Sequence, residues 1–364
     1  MSSDVLVSRR RNGGEVSSLR VRLAALFGFV FGFAMAFVTL LSYGTSVTEI
    51  LSERPTTTLV ITTGEVGSSY GSSSSSSSSS LSSPSGAIAA KSSYPDLFEE
   101  VRIVCIVLTY ADNRDKATHL KATWGKRCNR LIFISNQDDQ DLGAVDIGVE
   151  DSHDNLWTKT RQAFSYVYEN LLHEGEWFLK ADDDTYIVME NLRYLLYGYD
   201  AQKPIYFGHK FTYDDNVYMS GGGGYVLSKE ALKRFIVDSL NNETLCLKAQ
   251  PSSEDFEIGK CLTSVGVMPG NSMDPIDYTQ RFHPLPLRDY VQPDAMDWLP
   301  GWLFNRSLEP IQTGPSCCSE YAISFHYLES KDMYLYDFFL YRMKVHGIEK
   351  QLRALPSKIS SEIG

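Results

Sequence analysis

The sequence has no basic surplus. Its 34 Lys and Arg are outnumbered by 45 Asp and Glu, which leaves a formal net charge of -11 over 364 residues. Binding along a phosphate backbone rests on clustered Lys and Arg, so a nucleic-acid partner is not expected. No CxxC pair occurs among the six cysteines, Cys105, Cys128, Cys246, Cys261, Cys317 and Cys318, which weakens a zinc reading. The glycine run Gly221 to Gly224 precedes an apolar stretch, so it is neither a Walker loop nor a dinucleotide fingerprint. What the cysteines do offer is an even count, which suits an oxidising lumen; they allow many complete pairings, and spacing does not choose among them. Sequons at Asn242 and Asn305 agree with that compartment.

Residues 23–43, LAALFGFVFGFAMAFVTLLSY, carry no charge and are long enough to cross a bilayer as a helix. Arg9, Arg10, Arg11, Arg20 and Arg22 precede them, whereas Glu49, Glu53 and Arg54 follow. The basic excess on the N-terminal side predicts a type II membrane protein: residues 1–22 as a cytoplasmic tail, 23–43 as the span, and the rest in the lumen. The apolar stretch is long for a cleaved signal peptide. Residues 44–94 are rich in Ser, Thr and Gly, with an unbroken serine tract from Ser72 to Ser80. Such a segment buries too little apolar surface to offset its ordering entropy, so it reads as a flexible stem open to O-glycosylation. Residues 95–364 form the globular, lumenal domain. This layout suits a Golgi-resident processing enzyme, and equally a shed adhesion protein or a receptor.

Within that domain, residues 101–110, VRIVCIVLTY, make a continuous β-branched run that predicts a strand buried on both faces. A loop entering a helix is expected over 112–124, a second strand over 131–135, and a helix over 155–173. A third strand, 177–181, runs directly into Asp182, Asp183 and Asp184. A helix over 191–197, strands over 205–209 and 224–227, and a helix over 229–238 complete the alternation. The pattern argues for an α/β sandwich with a mostly parallel sheet, in which ligands bind beyond the carboxyl ends of the strands.

The aspartate triplet stands at such an end. Three crowded carboxylates repel one another unless something positive offsets them or they face water. Hard cations prefer carboxylate oxygen and often share their shell with substrate phosphates, so Asp182 and Asp184 read as a DxD pair holding a metal under a nucleotide diphosphate. The alternative is a solvated acidic turn. The glycine run permits close backbone approach, as a cleft floor would need, or it is a surface turn. Glu254 and Asp255 mark the start of a helix, with Ser252 or Ser253 as N-cap; they are either first-turn acids or the source of a general base. His326, among apolar neighbours, is either a satisfied core histidine or a metal ligand. Trp298 and Trp302 either stack on a sugar or pack a loop.

Together these residues resemble the β1,3-glycosyltransferase family that includes the fringe proteins. The resemblance covers roughly residues 101–336. It runs through VCIVLTYADNRDKATHLKATW, LWTKT, WFLKADDDTYIVMENL, MSGGGGYVLSKEAL, SSEDFEIGKCL and CCSEYAISFHY. The last four are close to the core 1 branch, whose members add galactose to GalNAc O-linked to Ser or Thr. One departure is Gly223, where that family's GGAGY motif has alanine.

The resemblance implies a GT-A type fold, a Rossmann-like sheet with flanking helices, and an inverting mechanism that uses UDP-galactose and Mn2+ on GalNAc-bearing glycoprotein acceptors. It implies Asp182, Asp184 and His326 as metal ligands and Asp255 as the general base. Thr109, Arg114, Lys121, Asp138, Asp183 and Tyr327 are implied around the UDP-sugar, with Gly222 and Gly223 along the sugar cleft. Glu254, Trp298 and Trp302 are expected at the acceptor. The family also suggests a homodimer. Pairing Cys246 with Cys261 would fix the loop of the base; Cys105 with Cys128 and Cys317 with Cys318 would complete the set. A fringe-like GlcNAc transferase would use the same metal site. A non-catalytic folding chaperone would be expected to lose the DxD, which this chain keeps.

Overall fold

The structure is a computed structural model that describes residues 96–150, 152–248, 253–348 and 351–359. The tail, span and stem expected over residues 1–94 lie outside these residues. Among the described residues no helix is long and apolar enough to cross a membrane.

In chain order the elements are β1 (Ile103–Leu108), α1 (Arg114–Ala122), β2 (Arg130–Ser135), β3 (Ala144–Asp146), α2 (Leu156–Asn170), β4 (Trp177–Asp182), β5 (Tyr186–Ile187) and α3 (Met189–Tyr197). Then come β6 (Ile205–Gly208), β7 (Lys210–Tyr213), β8 (Asn216–Met219), β9 (Tyr225–Ser228), α4 (Lys229–Arg234), α5 (Glu254–Ser264) and β10 (Met268–Pro269). β11 (Phe282–His283), α6 (Gly301–Arg306), β12 (Ser324–Phe325) and α7 (Ser330–Tyr341) follow. The main sheet has the order β10-β6-β9-β4-β1-β2-β3. All its strands run parallel except β9, which is antiparallel to both β4 and β6.

All six side chains of β1 are buried, as its unbroken apolar run requires. Alternate residues face opposite layers. Ile103, Cys105 and Val107 share a core with Ala117 and Leu120 of α1, Leu192 of α3 and Met333 of α7. Val104, Ile106 and Leu108 pack with Phe164 and Val167 of α2, Leu232 of α4 and Ile258 of α5. The result is a three-layer α/β sandwich. The helix expected over 229–238 is regular only through Arg234 and continues as a wider π turn over Phe235–Ser239.

Two small features flank the main sheet. β7 and β8 form a hairpin whose two turn residues, Asp214 and Asp215, both have positive φ (48° and 60°), the backbone of a type I′ turn. β11, β12 and β5 form a second sheet. The disulfides are Cys105–Cys128, Cys246–Cys261 and Cys317–Cys318, and no described cysteine is free. The second of these ties the loop before α5 to α5 itself.

Candidate active site and metal centre

Strands β1 and β4 lie side by side with Leu108 opposite Asp182, so Thr109 and the aspartate triplet leave the sheet at the same edge. β5 starts two residues after the triplet and pairs with β12, Phe325 opposite Tyr186. That short ladder carries the next residue, His326, back to the aspartates. A backbone hydrogen bond from Leu328 to the Asp184 carbonyl closes the junction at 2.9 Å.

The three carboxylates have separate partners. Asp182 accepts from the Lys180 ammonium at 2.7 Å through Oδ1. Asp183 turns inward and accepts from the Thr109 hydroxyl at 2.7 Å and the Asn113 amide at 3.0 Å. Burial pushes the Asp183 carboxyl up to about 6 against the Thr109 hydrogen bond, and the Asp184 charge reinforces the rise. Asp184 Oδ1 lies 3.1 Å from His326 Nε2, and Asp182 Oδ2 lies 3.8 Å from the same nitrogen. Burial acts to raise the Asp184 carboxyl, but the His326 hydrogen bond and charge outweigh it and hold it below the ordinary carboxylate range.

His326 Nδ1 sits 3.3 Å from the Pro284 carbonyl. A carbonyl only accepts, so that contact places a proton on Nδ1 and aims Nε2 at the two carboxylates. A lone pair facing two anions calls for a cation between them or a proton on Nε2. One ligand atom from each of Asp182, Asp184 and His326 lies within 4.8 Å of the others. Two carboxylates and an imidazole held by an outer carbonyl fit a divalent cation.

The glycine run is the floor under this imidazole. A Cβ on Gly222 would lie 2.2 Å from His326 Cε1, whereas one on Gly223 would meet nothing closer than 3.6 Å. The departure at Gly223 is therefore sterically neutral, whereas any side chain at 222 would displace the His326 imidazole. The Thr185 hydroxyl donates to the Gly222 carbonyl at 2.9 Å and the Ser324 hydroxyl to that of Gly223 at 2.5 Å, fixing the run from the β4–β5 link and from β12.

Asp255 lies in the first turn of α5, whose N-cap is Ser253, without a side-chain cap bond. Its Oδ2 accepts the Gly221 N–H at 3.0 Å. Burial raises the Asp255 carboxyl, against the Gly221 hydrogen bond and the Lys180 charge. A cavity of about 270 Å³ is lined by Asp255, His326, Tyr327, Gly222, Trp302 and Arg306, among others. A second cavity, of about 170 Å³, lies beyond the ends of β1 and β2 and includes Tyr110, Arg114, Ser135, Asp138 and Asp139. Arg114 is paired there with Asp139 at 2.5 Å, and Asp138 accepts the Asp146 N–H at 2.8 Å.

Some expected site residues stand elsewhere. Glu254 lines neither cavity: it is buried, accepting the Tyr225 hydroxyl at 2.6 Å and facing Lys180 at 3.7 Å. Trp298 does not line either cavity and is 44% exposed. The Lys121 ammonium is spent on the carbonyls of Asp141 and Leu142, at 2.7 and 2.9 Å. Conversely, Asn113, Lys180 and Arg306 have roles that the motifs did not announce. Arg306 had a signal: it stands four residues after Trp302, one turn along α6.

Residues 103–283 match the family described as Fringe-like. Glycoprotein-N-acetylgalactosamine 3-beta-galactosyltransferase 1 of Xenopus laevis is 41% identical over 256 residues, covering 70% of each chain. Beta-1,3-glucosyltransferase of Mus musculus is 27% identical over 180 residues, 48% of this chain and 34% of that one. Among solved structures, the galactosyltransferase LgtC with donor and acceptor sugar analogs is similar at 10% identity and a TM-score of 0.39, over 66% of this chain and 97% of that one. The fold and site define an α/β protein with a candidate centre for a divalent cation. The chain belongs to the Fringe-like family, with its strongest kinship to the galactosyltransferase just named among these relatives.

Proposed function

We propose that this chain is an inverting galactosyltransferase that moves galactose from UDP-galactose to the 3-hydroxyl of GalNAc O-linked to Ser or Thr of glycoproteins. The observation that carries this reading is that His326, which faces Asp182 and Asp184, and Asp255 line one cavity. The kinship with the Xenopus laevis relative supports the choice of sugar and acceptor.

Asp182, Asp184 and His326 would hold Mn2+, which when bound supplies charge neutralisation for the diphosphate leaving group. The Gly222 backbone leaves room for the imidazole, and Pro284 keeps its ligating nitrogen turned outward. The cavity beside Arg114 and Asp138 suits the uridine, under a GT-A type arrangement. Asp255 takes the proton of the acceptor hydroxyl as that oxygen bonds to C1 and the C1–oxygen bond to UDP breaks. Attack from the face opposite the leaving group turns an α-linked donor into a β-linked product, by the single-displacement logic of inverting glycosidases. Trp302, Arg306 and Tyr327 form the rim available to the acceptor.

The sequence supports a type II anchor, with residues 23–43 in the Golgi membrane, 44–94 as stem and 95–364 as the lumenal catalytic domain. The family supports a homodimer. Incubating the lumenal domain with a panel of UDP-sugars and a GalNAc-peptide, with and without Mn2+, tests the reading. Galactosylated product only with metal is the expected result. Transfer of GlcNAc instead would select the fringe-like alternative, and no transfer at all would end the enzyme reading.

A further inference from the structure

We infer that Lys180 is a positioning residue: one buried ammonium that keeps the metal-site carboxylate Asp182 in register with the helix turn that carries Asp255. The inference rests on the transferase reading above. Lys180 lies in the middle of a buried strand and is 1% exposed, in a place where an unpaired cation would be costly. An ammonium has three N–H donors. Here two meet Asp182 Oδ1 at 2.7 Å and the Gly221 carbonyl at 3.3 Å, while Glu254 Oε2 faces the ammonium as an ion pair at 3.7 Å.

Each contact reaches a different part of the machinery. The bond to Oδ1 fixes the Asp182 carboxylate so that Oδ2 is the oxygen facing His326. The contact to Gly221 holds the residue whose N–H binds Asp255 Oδ2 at 3.0 Å. The contact to Glu254 pins the first residue of α5, whose other oxygen is already held by Tyr225 at 2.6 Å. Simple neutralisation of a buried Glu254 would need only the last contact, yet the shortest one goes to Asp182. Glu254 thus serves the acceptor site from beneath, through the turn it anchors, and does not touch the acceptor.

The test uses the full chain. Lys180→Met alone would strand a buried carboxylate, so Lys180→Met is combined with Glu254→Gln. That pair keeps the net charge and leaves Gln an oxygen for the Tyr225 hydroxyl. Expected are a melting temperature close to wild type, a kcat lower by about 100-fold and Mn2+ binding with UDP weakened about 10-fold. Glu254→Gln alone keeps the Lys180–Asp182 contact, so kcat should fall about 10-fold with Mn2+ and UDP affinity unchanged; this variant decides the matter if the double variant does not fold. Wild-type kcat and metal affinity in the double variant, or wild-type kcat in Glu254→Gln, would reduce Lys180 to charge neutralisation and overturn the inference. A wild-type chain that binds neither UDP nor Mn2+ would overturn the transferase reading and this inference with it. Active wild type with equally active variants would overturn this inference alone.

Discussion

At the scale of single residues, two substitutions separate chemistry from metal binding. Asp255→Asn removes the proposed base but keeps its shape. Turnover should drop by about 10²–10⁴ while UDP still binds, as steady-state rates and calorimetric titration would show. Comparable turnover would remove Asp255 from its role. Gly222→Ala places a methyl group where the His326 ring lies, 2.2 Å from Cε1. The imidazole must swing away, so Mn2+ affinity should fall about 10–100-fold with the fold retained, measured by metal titration in the presence of UDP. The pH profile carries a sign as well. Burial raises the Asp255 carboxyl above its ordinary value of 3.8, and a base works only when deprotonated. The acid limb of kcat should therefore lie at a higher pH than an ordinary aspartate would give, and the residual rate of Asp255→Asn should lack that limb. The aspartate triplet stood out by its place at a strand end, whereas His326 was open between core residue and ligand until the resemblance pointed to it; the structure brings these side chains together. Asn113 and Lys180 were not, because their meaning depends on which carboxylate oxygen they meet. By residue type alone Glu254 and Asp255 were indistinguishable, and the resemblance put both at the reaction; the direction of each side chain from the first turn of α5 assigns one to the core and the other to the cavity.

At the scale of elements, the disulfide Cys246–Cys261 closes a separation of 15 residues around the segment that leads to Asp255. Replacing both cysteines with serine frees that loop in the unfolded chain and should cost about 3 kcal/mol, read from chemical denaturation. An unchanged denaturation midpoint would show that other contacts hold the loop. Strands β1, β2 and β4 were legible because burial on both faces leaves a continuous apolar signature. The two-residue strands β5, β10, β11 and β12 are too short to carry any period. The β7–β8 hairpin escaped for a different reason: its turn uses Asp214 and Asp215 at positive φ instead of the Asn-Gly signal. The reversal of β9 within the sheet was also hidden, since pairing direction leaves no trace in an apolar run.

At the scale of the whole molecule, two buried histidines contribute to the response to acid. Burial depresses His209 to about 4 and His283 to about 3, against hydrogen bonds to the carbonyls of Phe282 and Ser324. Both are neutral in the folded state at pH values where the unfolded chain, with an ordinary histidine near 6.5, already takes up protons. The unfolded state therefore binds more protons as pH falls, and stability present above pH 6.5 is lost progressively toward pH 4. Thermal melts across that window should show a falling midpoint, and His209→Gln should flatten part of the fall.

The ladder between β5 and β12 has a consequence for biosynthesis. It joins carboxylates at positions 182 and 184 to an imidazole at 326, so the candidate ligands are made far apart in time. A nascent polypeptide cut short before Ser324 would still present its acidic edge but would have no nitrogen to finish the coordination shell. Retention of a cation at the proposed centre would thus depend on synthesis having passed His326.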